Sequence, residues 1–241
     1  MTFDEAIRLF LEAPQAGARL RAHFCTANTV VEANADARLK RALNDAEIVT
    51  SDGMPIVWLL RLMGHRAERV YGPDVLLAMA DRSRDLALSH YFYGGAEGIA
   101  ERLAEQLLAK YPGLRVAGIE APPFRPLSEP ERRQVTDRIN ASGADYVWVG
   151  LGTPKQDFWL AENRAELEPA VLFAVGAAFD FLSGTKPRAP RLMQRAGTEW
   201  LFRLVTEPRR LWRRYLVGNV RFVQLVAWDA MKRRRRRRFK R

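Results

Sequence analysis

Cysteine is almost missing from this chain. Cys25 is the only one in 241 residues, which excludes an internal disulfide and fits a reducing compartment. In its apolar stretch it reads as a small core hydrophobe. Histidine is nearly as scarce. His23, His65 and His90 form no ligand-spaced pair, and no Cys/His cluster or Asp-any-Asp motif accompanies them; a protein-held metal is not expected. There is no Gly-any-Ser-any-Gly nucleophile elbow. Long hydrophobic runs are lacking too. The longest strongly apolar one, residues 170–179, is about half of what a bilayer span needs and reads as a buried strand. Residues 1–11 carry Asp4 and Glu5 and lack a basic start followed by an apolar run, so no signal peptide is expected and the folded body is placed in the cytoplasm.

What is present suits one compact domain with an appendage. Hydrophobic residues make up 48% of the chain, enough for a sizeable core. The net charge is +11, and its distribution is lopsided. Residues 199–241 hold 15 Lys or Arg against Glu199, Glu207 and Asp229, which leaves residues 1–198 at about −1. A nucleic-acid enzyme spreads positive charge over its binding face. A basic terminus instead reads as an electrostatic arm for anionic lipid, nucleic acid or a diphosphate. The division expected is a body of residues 1–195 and an appendage of residues 196–241.

Short β-rich runs alternate with helical stretches. Strands are expected at 22–27, 47–50, 90–93, 114–119, 145–150 and 171–175, and helices at 30–44, 55–62, 96–110, 129–141 and 155–163. This rhythm predicts an α/β fold, a Rossmann-like parallel sheet flanked by helices. Glycines and polar residues gather just after several strands, at the sheet edge where such folds bind ligands.

Four of these places can carry chemistry. Asp52, in Ser51-Asp52-Gly53-Met54-Pro55, is either a helix N-cap or a general base accepting a proton from a hydroxyl. Gly94-Gly95 opens a helix, as a ligand cradle or as a tight turn; the full dinucleotide fingerprint is missing, so an oxidoreductase is poorly supported. Gly150-Leu151-Gly152-Thr153-Pro154-Lys155-Gln156-Asp157 makes a fixed loop. There Lys155 can pair with a phosphate and Gln156 can bond a sugar hydroxyl or a uracil edge, or both are solvated turn residues. Asp180, after the buried run, either holds Arg188 or binds donor hydroxyls.

From Glu199 onward the chain reads as a basic amphipathic helix, with the two faces of residues 209–231 incompletely separated because Val217 and Trp228 intrude on the polar sector, ending in a polybasic run at 233–238. Arg210, Arg213, Arg214 and Arg221 share a sector opposite Leu211, Trp212, Tyr215, Leu216 and Phe222. Such a helix lies in a membrane interface, with the tail adding about 1 kcal/mol per basic residue near an anionic surface; the alternative is a helix packing its apolar face on the body.

Taken in order, these strings resemble the WecG/TagA/CpsF glycosyltransferases. The resemblance rests on Thr26-Ala27-Asn28, Ser51-Asp52-Gly53-Met54-Pro55, Glu68-Arg69-Val70-Tyr71-Gly72-Pro73-Asp74, Tyr93-Gly94-Gly95 and Tyr111-Pro112-Gly113-Leu114. It continues through Val149-Gly150-Leu151-Gly152-Thr153-Pro154-Lys155-Gln156, Gly176-Ala177-Ala178-Phe179-Asp180-Phe181, Arg188-Ala189-Pro190, Glu199-Trp200-Leu201-Phe202-Arg203-Leu204 and Glu207-Pro208-Arg209-Arg210. The resemblance implies inverting transfer from a UDP-sugar, of the N-acetylmannosamine type or glucose, to a polyprenyl-diphosphate-linked saccharide. It implies no cofactor and no metal. Asp52 aligns with the base and Thr26 with an assisting threonine. Asn28, Arg69, Gly94, Gly95, Gly152, Lys155, Gln156 and Asp180 would bind substrate, and Arg203, Arg209, Arg210, Arg213 and Arg214 would hold the acceptor diphosphate. The expected location is cytoplasmic, peripheral on the inner face of the membrane, with an anionic surface as partner and no nucleic acid; a homo-oligomer that buries the appendage is left open. One departure is Asp157, where the family usually has Glu. The rival readings are a non-catalytic nucleotide-sugar or nucleic-acid binder and, among enzymes, a Rossmann-type oxidoreductase or methyltransferase.

Overall fold

A computed structural model describes residues 1–238, and the side chains of residues 1–232. Six strands form one parallel sheet: β1 (Leu20–Cys25), β2 (Ile48–Ser51), β3 (Ser89–Gly94), β4 (Arg115–Glu120), β5 (Tyr146–Gly150) and β6 (Val171–Ala174). Their spatial order is β2-β1-β6-β5-β3-β4. The helices of the body are α1 (Phe3–Glu12), α2 (Ala27–Ala35), α3 (Ala37–Asn44), α4 (Met54–Leu62), α5 (Gly72–Arg82), α6 (Ile99–Lys110), α7 (Glu129–Ala141), α8 (Lys155–Asn163) and α9 (Ala178–Leu182). The chain then runs through α10 (Arg191–Arg195), α11 (Glu199–Thr206), α12 (Pro208–Trp212), a π turn at Arg213–Val217 and α13 (Gly218–Arg238). The expected Rossmann-like α/β fold is the one found.

Successive side chains on a strand face opposite ways, and here both faces are covered. Phe92, Tyr146, Trp148 and Phe173 point to one side, where α1, α5, α6 and α9 supply Phe10, Leu76, Leu103 and Phe179. Tyr91, Tyr93, Val147, Val149 and Leu172 point to the other, against Val135 and Ile139 of α7 and Leu160 of α8. Two-sided burial explains why the central strands read as unbroken apolar runs.

The helix expected over residues 30–44 is two helices. Asp36 adopts an extended backbone (φ −118°, ψ 107°), and its carboxylate accepts from the N–H groups of Arg38 and Leu39. An Asp that caps a new helix outcompetes continuation of the old one. The helix expected from residue 96 begins at Ile99, because Gly98 is left-handed (φ +77°).

His90 is an internal group with a fixed tautomer. Trp148 Nε1 donates to its Nδ1 at 2.9 Å, so Nε2 carries the proton and donates to Ser83 Oγ at 2.8 Å. Burial keeps the ring neutral, lowering its pKa from 6.5 to about 3. The stability it contributes is whole above pH 6.5 and is lost as pH falls toward 3, because the unfolded chain takes up the proton first. Urea denaturation between pH 7 and pH 4 is expected to show a falling midpoint, with a shallower fall in His90→Gln; equal slopes would remove His90 as a source.

Candidate active site

In a parallel sheet all strands end at one edge. Thr26, Asp52, Gly94-Gly95, residues 150–156 and residues 176–180 each follow a strand and therefore meet at that edge. The register ties them closely, with Cys25 opposite Ser51 and Gly94 opposite Gly150.

Asp52 does not cap α4. Gly53 occupies the N-cap position, and no side chain caps it; the helix starts at Met54, one residue before the expected limit, with Pro55 in its first turn. The Asp52 N–H donates to Cys25 O at 3.0 Å. The residue as a whole is half-buried, and its carboxyl group is densely surrounded. Burial is the main force raising its pKa, from 3.8 to about 7, and the charge of Glu199 adds to it. Arg69, Arg203 and the Gly72 N–H at the start of α5 pull the other way. The neighbouring Cys25 thiol is pushed up to about 12, first by burial and then by Asp52 and Asp157, so it is no nucleophile at neutral pH.

Arg69 and Arg203 join Asp52 through Glu199. Arg69 Nε donates to the Asp52 carbonyl at 2.7 Å and its Nη2 to Glu199 Oε2 at 2.5 Å. The Tyr71 hydroxyl donates to Glu199 Oε1 at 3.1 Å, and Arg203 Nε lies 3.6 Å from the same oxygen. Arg69 stacks 4.0 Å over the Tyr71 ring, and Arg203 4.6 Å over Phe181. Glu199 and Tyr71 belong to the strings quoted for the resemblance but were assigned no role in the sequence. The available signal was an acid opening the segment that is otherwise rich in arginine.

The other expected residues fall into two groups. Some are engaged in holding the loops. Thr26 Oγ1 accepts from Thr29 N at 3.2 Å and caps α2. Gln156 uses both ends of its amide on backbone: Nε2 donates to Ala174 O at 2.8 Å and Oε1 accepts from Gly152 N at 2.9 Å. Gly94 (φ +119°) has no room for a side chain, since a Cβ would lie 2.8 Å from the Gly150 backbone. Gly95 donates its N–H to Gly150 O at 3.0 Å. Asp157 turns inward to His23 Nδ1 at 2.7 Å, so the shorter carboxylate faces the core. Others are at least partly exposed. Gly152 has free space around it, Lys155 is exposed with its ammonium 5.0 Å from the Phe124 ring, and Asn28 donates to Glu32 at 2.7 Å.

Asp180 pairs with Lys186 at 2.7 Å instead of Arg188; Arg188 goes to Asp74 of α5. The reason is local: Lys186 N donates to Asp180 O at 3.0 Å, folding the loop so that Lys186 returns to it. Lys186 also reaches Glu207 at 3.5 Å, linking this loop to the C-terminal segment.

The segment expected as one amphipathic helix over residues 209–231 is α12 and α13 joined by the π turn. Leu211, Tyr215 and Phe222 are buried, with Phe222 packed against Ala27 and Ile56 of the body. Trp212, Leu216, Val217, Val220, Val223 and Trp228 remain exposed. Thus the apolar face is shared between the body and the outside. Arg203 is the one of the five expected diphosphate arginines that gathers with Asp52 in these contacts. Arg210 pairs with Glu207 at 2.7 Å, Arg213 lies 5.2 Å over Trp212, and Arg209 is exposed. Arg214 is partly covered, and its Nε is buried without a hydrogen-bond partner. The basic run at 233–238 lies outside the described side chains. Among the described residues, no helix is long and apolar enough to cross a membrane and no group of three or more His, Cys, Asp or Glu is arranged to hold a metal.

Asp52, Arg69, Arg203 and Glu199 thus gather at the carboxyl edge of a parallel sheet, the edge where open α/β folds bind ligands. Residues 1–236 match the model of the Glycosyl transferase WecG/TagA/CpsF family, and the chain belongs to that family. It is 32% identical over 198 residues to the N-acetylglucosaminyldiphosphoundecaprenol N-acetyl-beta-D-mannosaminyltransferase of Bacillus spizizenii, a match covering 81% of this chain and 75% of that protein.

Proposed function

We propose that this glycosyltransferase moves an N-acetylmannosamine-type sugar from a UDP-sugar to a polyprenyl-diphosphate-linked N-acetylglucosamine, with inversion and without a protein-held metal. The name of the Bacillus spizizenii relative supports the sugar and the acceptor; glucose is the second donor to try. The observation that carries the reaction is Asp52, a carboxyl group raised to about pKa 7 beside Arg69 and Arg203.

Asp52 takes the proton of the acceptor hydroxyl. The oxygen forms its bond to the anomeric carbon from the face opposite the leaving group, while the bond from that carbon to the UDP phosphate oxygen breaks. Arg203, with Arg209, Arg210, Arg213 and Arg214 from the same segment, offsets diphosphate charge. Gly94, Gly95, Gly152 and Lys155 line the donor side, and Gln156 keeps the 150–156 loop in place. Residues 1–195 form the catalytic body and residues 196–241 the appendage. Its exposed Trp212, Leu216, Val220 and Trp228 suit contact with the cytoplasmic membrane surface.

The test is product mass spectrometry with a panel of UDP-sugars and a lipid-linked N-acetylglucosamine acceptor. Transfer from the N-acetylmannosamine donor is expected, and transfer from none would end the reading. A base with a pKa of about 7 is active when deprotonated. The rate should therefore rise from pH 6 to pH 8 and level off above; a flat profile over that range would assign the proton to another group.

A further inference from the structure

Glu199 is the first residue of α11 and the only carboxylate placed between the two arginines beside Asp52 in the described contacts. Its side chain is 14% exposed and touches three groups from two parts of the chain: Arg69 and Tyr71 from the body, and Arg203 from its own helix. An acid in a first helical turn has an ordinary use, since it complements the helix dipole. That use requires neither burial nor two guanidinium partners. The geometry here also closes a chain of contacts: Glu199 holds Arg69, and Arg69 holds the Asp52 carbonyl.

We propose that Glu199 is a positioning residue that seats the C-terminal segment on the Asp52 loop and keeps Arg69 and Arg203 from pairing with the Asp52 carboxylate. The inference rests on the reading of Asp52 as the base. Two guanidinium groups with no anion between them would turn to the nearest carboxylate. The carboxylate of Asp52 already interacts with the charges of both Arg69 and Arg203, and a base locked in such pairs has its basicity lowered. With Glu199 in place, both arginines are partly neutralised and remain near the site, where an incoming diphosphate adds a second anion for them to share. The groups that face Asp52 are Arg69 and Tyr71 from the loop before α5, the Gly72 N–H at the start of α5, Glu199 and Arg203 from α11, and the Cys25 thiol at the end of β1. Among the charged ones, Glu199 alone opposes ionisation of Asp52.

The experiment uses the full chain and two variants. In Glu199→Gln, the acidic limb of the pH–rate profile should move down by about one pH unit. Turnover at pH 8 should fall by about tenfold or more, with a smaller change in KM for the UDP-sugar. Glu199→Asp keeps the charge on a shorter stem. Its limb should stay at the wild-type pH while turnover falls several-fold. Titration of the Asp52 carboxyl by 13C NMR, assigned with Asp52→Asn, provides the same reading without activity. A purely structural Glu199 would lower the melting temperature and leave both the limb and the titration unmoved, and that result overturns the proposal. So does an equal shift in the Gln and Asp variants. If the wild-type chain transfers no sugar, the functional reading fails by itself, and the NMR titration still decides the part played by Glu199.

Discussion

Replacing Asp52 with asparagine should lower turnover by about 10²–10⁴-fold, the usual range for losing a general base. The side chain keeps its shape, and the contacts that hold the loop are backbone ones: the Asp52 N–H to Cys25 and the Asp52 carbonyl to Arg69. UDP binding should therefore survive, which isothermal titration with UDP can measure beside the rate. The loss should lie in kcat, because the amide cannot accept the acceptor's proton in the transition state. Rates in Asp52→Asn within a factor of about three of wild type would leave the mechanism without its base.

Ending the chain at Thr198 should abolish transfer to a lipid-linked acceptor, by about 10²-fold or more. The deletion removes Arg203 from beside Asp52, and with it every basic residue of the appendage. The body should still fold, because the two large clusters on the faces of the sheet contain no residue from the deleted part. The smaller cluster around Ala27 and Ile56 loses Phe222 and Val226, so a melting temperature lower by several degrees is expected from a cost of about 2 kcal/mol. Co-sedimentation with anionic vesicles should be lost together with activity. A truncated chain that melts cooperatively and transfers sugar at the full rate would leave the C-terminal segment without a catalytic part.

The sheet was legible because each strand is a short apolar run bounded by turn residues. Helices α7 and α8 match their expected limits residue for residue, since each is framed by local signals: Ser128 before one, with Pro130 in its first turn and Gly143 just after its end, and Pro154 before the other. The break at Asp36 was less visible, because an Asp within helical spacing looks the same whether it caps or is merely solvated. Helices α1 and α5 went unread. Each buries its apolar face on the sheet, and α5 opens with a glycine and a proline that resemble a turn. In the site, the position of Asp52 followed from the strand that precedes it. Which cation meets which acid did not. The Lys186–Asp180, Arg188–Asp74 and His23–Asp157 pairs join residues from 6 to 134 positions apart, and their partners depend on how loops return across the sheet edge. The same holds for Glu199, 130 positions from Arg69.

The order of the strands also governs when the molecule can take shape. β1 and β2 form one pair and β5, β3 and β4 one trio, and the only strand joining them is β6, the last to be synthesised. An emerging chain therefore carries two unjoined half-sheets, each with a bare edge, until residues 171–174 leave the ribosome. Nascent fragments shorter than this should depend on chaperones and be readily degraded, and refolding from denaturant should wait on the insertion of this keystone, a step that demands contacts between distant parts of the sequence.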